Sequence, residues 1–520
     1  MGFAQQRKWW ALAALALVSM VIGLDMMVLN VALPTLAKDL NASTSDLQWF
    51  ANAYSLVLAA ALLPAGMLGD RYGRKKFLIG ALVLFGIASL ACAYCTDVTQ
   101  LIGARVLLGI GAAFLMPLSM SILTVLFSDG ERSRALTMIV TANSIGLPLG
   151  PIVGGLLLDH FWWGSVFLVN VPVVAVAVIA AVTLLPESRS SSQPRLDVFG
   201  VALSSMGLVG LTYGVIRIGD DGWSSGTALA WMAAGAATLA GFVAWQLRLH
   251  RRPNGQPLVD IGLFSSRRFT WGTILATLAT FAMFGVFFVM PQFFQAVDGT
   301  DALGTGLRLL PVIGGLLVGA RAADKLVRKT GTGLMIASGY GVFAAGLLLG
   351  SFTSVGSGYG YVATWFALVG VGIGLALPAA MDAALGALSK ERSGVGSALI
   401  QAVRQVGGAI GVAILGTVLN STYRDSVDVT GLPAEAADTV KRGVTAGVAV
   451  ATQLRSPELL AAVRRAFADA MDSMLLVSTG VALAGVVLAL IFLPRRPEPA
   501  PVDDAAAALV AAESTPDLVV

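Results

Sequence analysis

The chain has 520 residues, 56% hydrophobic and 12% charged, with a mean hydropathy of +0.80. Soluble chains carry about a quarter of their residues as charge, so this composition excludes an ordinary soluble enzyme and points to an all-α polytopic membrane protein. The formal charge of +4 is dealt out among loops instead of gathered in one patch, which speaks against nucleic acid as a partner.

Fourteen apolar runs are each long enough to cross a bilayer. They are 10–33, 47–68, 77–95, 99–127, 135–158 and 163–185; then 198–216 and 227–247; then 270–297, 303–323, 332–352, 359–388, 393–419 and 471–493. This is six plus two plus six. The expected organisation is a six-helix bundle over 1–185, a linker with two extra spans over 186–264, and a second six-helix bundle over 265–493. A Pro-, Ala- and acid-rich tail, 494–520, is expected to be disordered. The first run is too long for a signal-peptide core and contains Asp25, so it reads as a spanning helix.

Lys and Arg cluster in alternate loops, whereas the short loops between them hold only Lys38 and Arg217. The basic loops belong in the cytoplasm, which puts both termini there. The long segment 420–470 then lies outside. Within it Ser456-Pro457-Glu458 reads as a helix start. Leu459, Val463 and Phe467 follow at helical spacing, suggesting an amphipathic helix on the outer face or over a cavity mouth. Cys92 and Cys95 sit in an apolar run without a second ligand pair, so they read as small core residues and no metal or other cofactor is expected.

Several residues in these spans could carry chemistry. Asp25 lies well inside the first span, where a carboxylate is costly and usually has a task; the alternative is a neutral or paired structural acid. Between the second and third spans stands Gly66-Met67-Leu68-Gly69-Asp70-Arg71-Tyr72-Gly73-Arg74-Lys75-Lys76, and Asp324-Lys325-Leu326-Val327-Arg328-Lys329 repeats its charge order in the second half. Asp70 faces the start of the span at Ser393, where a helix dipole favours an acid, and is expected to latch the two halves. Arg105, in Gly103-Ala104-Arg105-Val106-Leu107-Leu108-Gly109, pairs either with a carboxylate or with core carbonyls. Gly146-Leu147-Pro148-Leu149-Gly150-Pro151-Ile152-Val153-Gly154-Gly155 offers small residues for close helix packing.

The loop at Gly66 resembles the signature loop of the major facilitator superfamily, which implies two six-helix bundles rocking around a central cavity. Leu24-Asp25-Met26-Met27-Val28-Leu29-Asn30-Val31-Ala32-Leu33-Pro34 resembles the first-helix signature of the 14-spanner drug:proton antiporters. That resemblance implies a proton-binding, cation-sensing role for Asp25. The Arg105 segment is similar to the superfamily's buried-arginine motif, in which the Arg acts on the proton-carrying acid, although Leu108 replaces the usual Gln. The Gly146–Gly155 segment resembles the antiporter motif of exporters, and Gly150 and Pro151, with Asp70, Arg71, Gly73 and Arg74, are the gating residues it implies. Trp162-Trp163 and Asn170-Val171-Pro172 fit the outer start of the sixth span. Gly306–Pro311 and Gln401–Gly408 resemble family segments without a defined role.

A proton-coupled exporter of lipophilic cations in a bacterial plasma membrane, monomeric and with only cargo, protons and lipid as partners, is the reading these features support. An endogenous antibiotic, amino acid or lipid is the alternative cargo, and a proton-coupled importer shares the fold. No Gly-Lys pair exists for a Walker site, and the two histidines, His160 and His250, are expected on opposite faces, so enzyme chemistry has no constellation. Met26, Asn30, Met116, Asn143, Phe281, Phe284, Phe288, Gln292, Gln401 and Arg404 are the candidate cavity residues; the phenylalanine face meets either lipid or cargo. Asp382 is either a second protonatable site or an interface residue.

Overall fold

Caps and glycines decide where the apolar runs become helices. In the computed structural model, which describes residues 3–127, 129–189, 196–252, 255–388 and 393–493, the regular elements are all helical. They are α1 (Phe3–Asp39), α2 (Thr44–Tyr72), α3 (Arg74–Ala93), α4 (Val98–Leu126), α5 (Asp129–His160), α6 (Ser165–Leu168), α7 (Asn170–Leu184), α8 (Val198–Asp221) and α9 (Gly226–His250). After a 3-10 turn come α10 (Arg267–Gln292), α11 (Ala302–Arg308), α12 (Leu310–Thr330), α13 (Thr332–Gly350), α14 (Tyr359–Leu385), α15 (Ser393–Ser426), α16 (Ala434–Lys441), α17 (Val444–Gln453) and α18 (Pro457–Phe492). Ser43 starts α2 with a reciprocal capping box to Asp46, and Asp97, Asp197, Ser225, Ser266 and Asp301 cap α4, α8, α9, α10 and α11 by accepting a backbone N–H three residues on.

Among the described residues, thirteen stretches are long and apolar enough to cross a membrane, with α6–α7 and α11–α12 each counting once. The 32 residues of α5, about 48 Å at 1.5 Å per residue, bring the arrangement to fourteen. The first half packs α1 on α5 and α7, and α4 on α2 and α3; the second packs α14 on α12 and α13, and α15 on α10 and α18. The two central helices form as expected. α8 seats on the seam between α2 and α15, where Leu56, Leu208 and Ala409 share an apolar cluster, while α9 packs on α8.

The end of the chain differs from the sequence expectation. Ser456 does cap a helix, accepting from Leu459 N, but that helix runs unbroken to Phe492. No break separates an amphipathic helix from the last span, because Pro457 sits at the first turn, where it costs no hydrogen bond, and nothing between Glu458 and Phe492 is Pro. Leu459, Val463 and Phe467 are buried on one face of this extension, and Phe467 meets the Tyr423 ring edge-on. The tail 494–520 lies outside the described residues.

Among the described residues, the hydrogen bonds that join the halves gather at the end opposite the α2–α3 loop. Both Asp159 oxygens accept from the N–H groups of Ala302 and Leu303 at 3.1 Å, and Gln295 Nε2 donates to Val31 O at 2.9 Å. Thr44 N donates to Arg442 O at 2.9 Å, and Gln48 Nε2 reaches the carbonyls of Val412 and Ala413 at 3.4 Å.

Candidate functional site

Six helices of the first half, α1–α4, α6 and α7, bring polar groups to one sealed point. Asp25 of α1 is completely buried; its Oδ2 accepts from Arg105 Nη1 of α4 at 3.1 Å and its Oδ1 from Asn170 Nδ2 of α7 at 3.0 Å. Arg105 Nε donates to Phe50 O at 3.2 Å, and its guanidinium lies 4.6 Å from the centre of the Tyr54 ring, so α2 supplies both a carbonyl and a π face. Ser89 of α3 accepts from Asn170 Nδ2 at 3.1 Å and donates to Phe167 O at 2.8 Å. A buried ion pair persists only when its remaining hydrogen-bonding capacity is met. Here the carboxylate has two donors, and the guanidinium has an anion, a carbonyl and a ring.

Arg105 pairs with a carboxylate and takes a core carbonyl as a second contact. Asn170 and Ser89 were not recognisable as members of this cluster. The only sequence signals were a polar Ser89 in an otherwise apolar stretch and the Asn-Val-Pro at the start of α7.

α5 lies against α1 through its small residues. A Cβ on Gly150 would stand 2.7 Å from Met27 Cβ and 2.9 Å from Leu24 O, so the backbones approach as closely as only glycine permits. The next residue, Pro151, is buried and its carbonyl abuts Gly306 of α11 in the other half. The close-packing face is thus continuous with the contact between halves.

At the α2–α3 loop, Asp70 shows no bond to α15 among the described residues. Its Oδ1 takes Arg74 Nε at 2.7 Å, an ion pair within its own half, because Arg74 follows one helical turn later across the Gly73 bend. The side chains of Ser393 and Gly394, where the latch was expected, lie outside the described residues. Arg71 stacks over Tyr72, with 5.2 Å to the ring centre. Gly73 has φ +128°, a conformation that side chains rarely adopt, and a Cβ there would come within 2.9 Å of the Glu187 carboxylate. Asp324, Arg328 and Lys329 of the second copy have side chains outside those described.

The candidate cavity residues divide. Met26, Asn30 and Met116 are half-buried, with Asn30 Nδ2 donating to Met26 O at 3.2 Å. The side chain of Asn143 lies outside the described residues. Phe281 and Phe284 are half-buried and Phe288 is fully buried. None of the three is fully exposed: the Phe284 ring packs against Gly408 of α15, and the backbone of Phe281 lies against Gly411. Gln292 is buried and donates to Phe288 O at 3.0 Å, which spends it locally. Gln401 and Arg404 meet at 3.2 Å, whereas Asp382 is exposed on α14 and does not join the Asp25 cluster.

The family description Major Facilitator Superfamily matches residues 15–412. The chain is 32% identical to the multidrug efflux pump LfrA of Mycolicibacterium smegmatis, over 94% of each chain. It is 33% identical to the tetracenomycin C resistance and export protein of Streptomyces glaucescens, over 81% of this chain and 77% of the relative. It is 31% identical to the methyl viologen resistance protein SmvA of Salmonella typhimurium, over 89% and 93%. Among solved structures, a bacterial homologue of the human lysosomal transporter Spinster superposes with a TM-score of 0.68 at 17% identity, covering 95% of this chain and 99% of that one. A D-xylose-proton symporter superposes with a TM-score of 0.59 at 14% identity, over 94% and 98%. With the sealed acid–base cluster, the paired six-span halves and these likenesses together, the chain is a membrane protein of the major facilitator superfamily, a secondary transporter and not an enzyme.

Proposed function

We propose that this chain is a proton-coupled efflux antiporter that exports lipophilic and cationic small molecules by alternating access. The observation that carries the reading is the Asp25–Arg105 pair, closed off from solvent and held by Asn170. A proton arriving at Asp25 removes the negative partner of a buried guanidinium, which makes the sealed arrangement unfavourable and favours a different packing of the half that contains it. Deprotonation restores the pair. Cargo loading and proton binding then alternate on the two faces of the membrane. Gly150 and Pro151, which join the α1–α5 contact to α11, carry the movement between halves, and Asp70, Arg71, Gly73 and Arg74 hold the basic end of the first half.

The names of the relatives support efflux over uptake, and two of them support cationic cargo or several drugs. Met26, Asn30, Met116 and the Phe281–Phe284–Phe288 face are the proposed walls of the cargo path. The protein functions as a monomer in a bacterial plasma membrane, with both termini and the Gly66 loop in the cytoplasm and Asn420–Ala470 outside. This supports a division into 1–185, the inserted 186–264 and 265–493.

The test is proton release from acid-loaded inverted vesicles on adding ethidium or a quaternary ammonium compound, with Asp25→Asn beside the native chain. A native signal that vanishes in the variant is the expected result. No signal with any cation from folded protein would sink cation antiport. A second cargo class, an endogenous antibiotic, is favoured by one relative named for tetracenomycin C resistance and export; adding tetracenomycin C in the same assay separates the two.

A further inference from the structure

Arg404 differs from the arginines that the fold holds in ion pairs. Arg105, Arg74 and Arg308 each meet a carboxylate, at 3.1, 2.7 and 2.9 Å. The groups on Arg404 are neutral: Nε donates to Thr280 Oγ1 at 3.1 Å, and Nη1 meets Gln401 Oε1 at 3.2 Å and Met381 Sδ at 3.5 Å. Among the described residues no carboxylate bonds to it, and its hydrogen bonds engage Nε and Nη1 only. It lies about 16 Å along α15 from the first turn, a depth at which a guanidinium turns to the protein interior and not to lipid. Phe284 borders the same place, its ring 3.3 Å from where a Cβ on Gly408 would stand, one turn beyond Arg404.

The two halves therefore treat the buried Arg105 and the half-buried Arg404 differently. The first supplies the counter-charge itself, in Asp25. The second leaves a guanidinium among neutral acceptors beside an aromatic ring and a thioether.

We infer that Arg404, with Gln401 and Thr280, is an acceptor subsite for cargo: it takes a carboxylate, phenolate or carbonyl oxygen of a molecule whose flat apolar body rests on Phe284 and Met381. Guanidinium matches such oxygens in geometry and charge, and aromatic and thioether side chains adapt to flat bodies. The inference rests on the efflux reading and narrows it. Preferred cargo carries an oxygen acceptor as well as an aromatic system, and a bare dication makes less use of this half.

The experiment uses the purified full chain and three fluorescent probes: a rhodamine with a free carboxylate, its methyl ester, and ethidium. Binding is measured directly, without transport. Arg404→Gln is expected to weaken the carboxylate probe by about tenfold or more, the ester by less, and ethidium by no more than about twofold. Arg404→Lys, which keeps the charge, retains part of the carboxylate preference and guards against a folding defect in the first variant. An equal loss for all three probes, or an unchanged carboxylate probe in Arg404→Gln, overturns the subsite. Ethidium-driven proton release is read in parallel. Its absence, with the Arg404-dependent preference intact, would remove cation antiport and leave the subsite standing; its presence without that preference would do the reverse.

Discussion

The Asp25 carboxylate and the Arg105 guanidinium lie 80 positions apart in the chain and 3.1 Å apart in the fold, with 0% and 2% of their side chains exposed. Neither charge has water to fall back on. What each contributes therefore depends on the other, and single and double substitutions must behave differently.

Breaking a buried pair from one side costs about 3–5 kcal/mol, because the partner is left charged and uncompensated. Arg105→Gln should accordingly destabilise the chain by about that much, and Asp25→Asn by a similar or smaller amount. The double variant should cost less than the sum, by about 1–3 kcal/mol. Denaturation of the detergent-solubilised protein gives all three values, and a strictly additive cycle would show that the pair carries no coupling.

Asn170 Nδ2 is shared between Asp25 Oδ1 at 3.0 Å and Ser89 Oγ at 3.1 Å. Asn170→Leu takes a donor from the buried carboxylate and should cost about 1–3 kcal/mol. Ser89→Ala leaves the Asn170–Asp25 bond in place and should be milder, about 0.5–1.5 kcal/mol. The same unfolding measurement ranks them, and a larger loss in Ser89→Ala would place the centre of the network at Ser89.

Gly73 joins α2 to α3 at φ +128°, and its missing side chain leaves room for Glu187, whose Oε1 accepts from Lys75 N at 3.2 Å. Gly73→Ala must adopt a sparsely populated conformation, at about 1–3 kcal/mol, and displace that carboxylate. A lowered melting temperature with a slower transport rate is expected. A melting temperature equal to the native one would mean that the bend relaxes without cost.

Asp298 lies between α10 and α11, and burial raises its carboxyl above the ordinary value despite Arg308 at 2.9 Å and the nearby Arg464. The folded chain thus holds this proton more readily than the unfolded chain. Its contribution is present in full below the ordinary carboxylate pKa of about 4 and is lost as pH rises through the folded value. Melting temperatures of the native chain and Asp298→Asn should therefore diverge from acid to neutral pH, with the Asn variant gaining. A divergence in the other direction would mean that the arginines outweigh burial.

The membrane-spanning runs, their grouping as six, two and six, the cap at Ser456 and the costly charges Asp25 and Arg105 were all legible in the sequence. Each is a local property: hydropathy over about twenty residues, a side chain three positions from an orphan N–H, or a charge where no charge is cheap. The orientation of a polar residue is not local in this sense. Ser89 and Asn170 read like any small polar residue in an apolar helix until α3 and α7 are packed on α1. Asp70 is bonded to Arg74 one turn away, while the start of α15, where its latch was expected, has side chains outside those described. Likewise Phe281, Phe284 and Phe288 share a face on any helical wheel, yet only the packing of α15, whose Gly408 receives the Phe284 ring, decides what Phe284 meets.

By itself, then, the sequence determined which stretches enter the membrane and which residues are too polar to be there without a partner, since transfer energies depend on composition. The tertiary structure alone decided who those partners are: Asn170 and Arg105 for Asp25, Arg74 for Asp70, and neutral groups for Arg404. Partnership requires donors and acceptors within about 3 Å, and for Asp25 that distance is set by helices that meet only after the chain has folded back on itself.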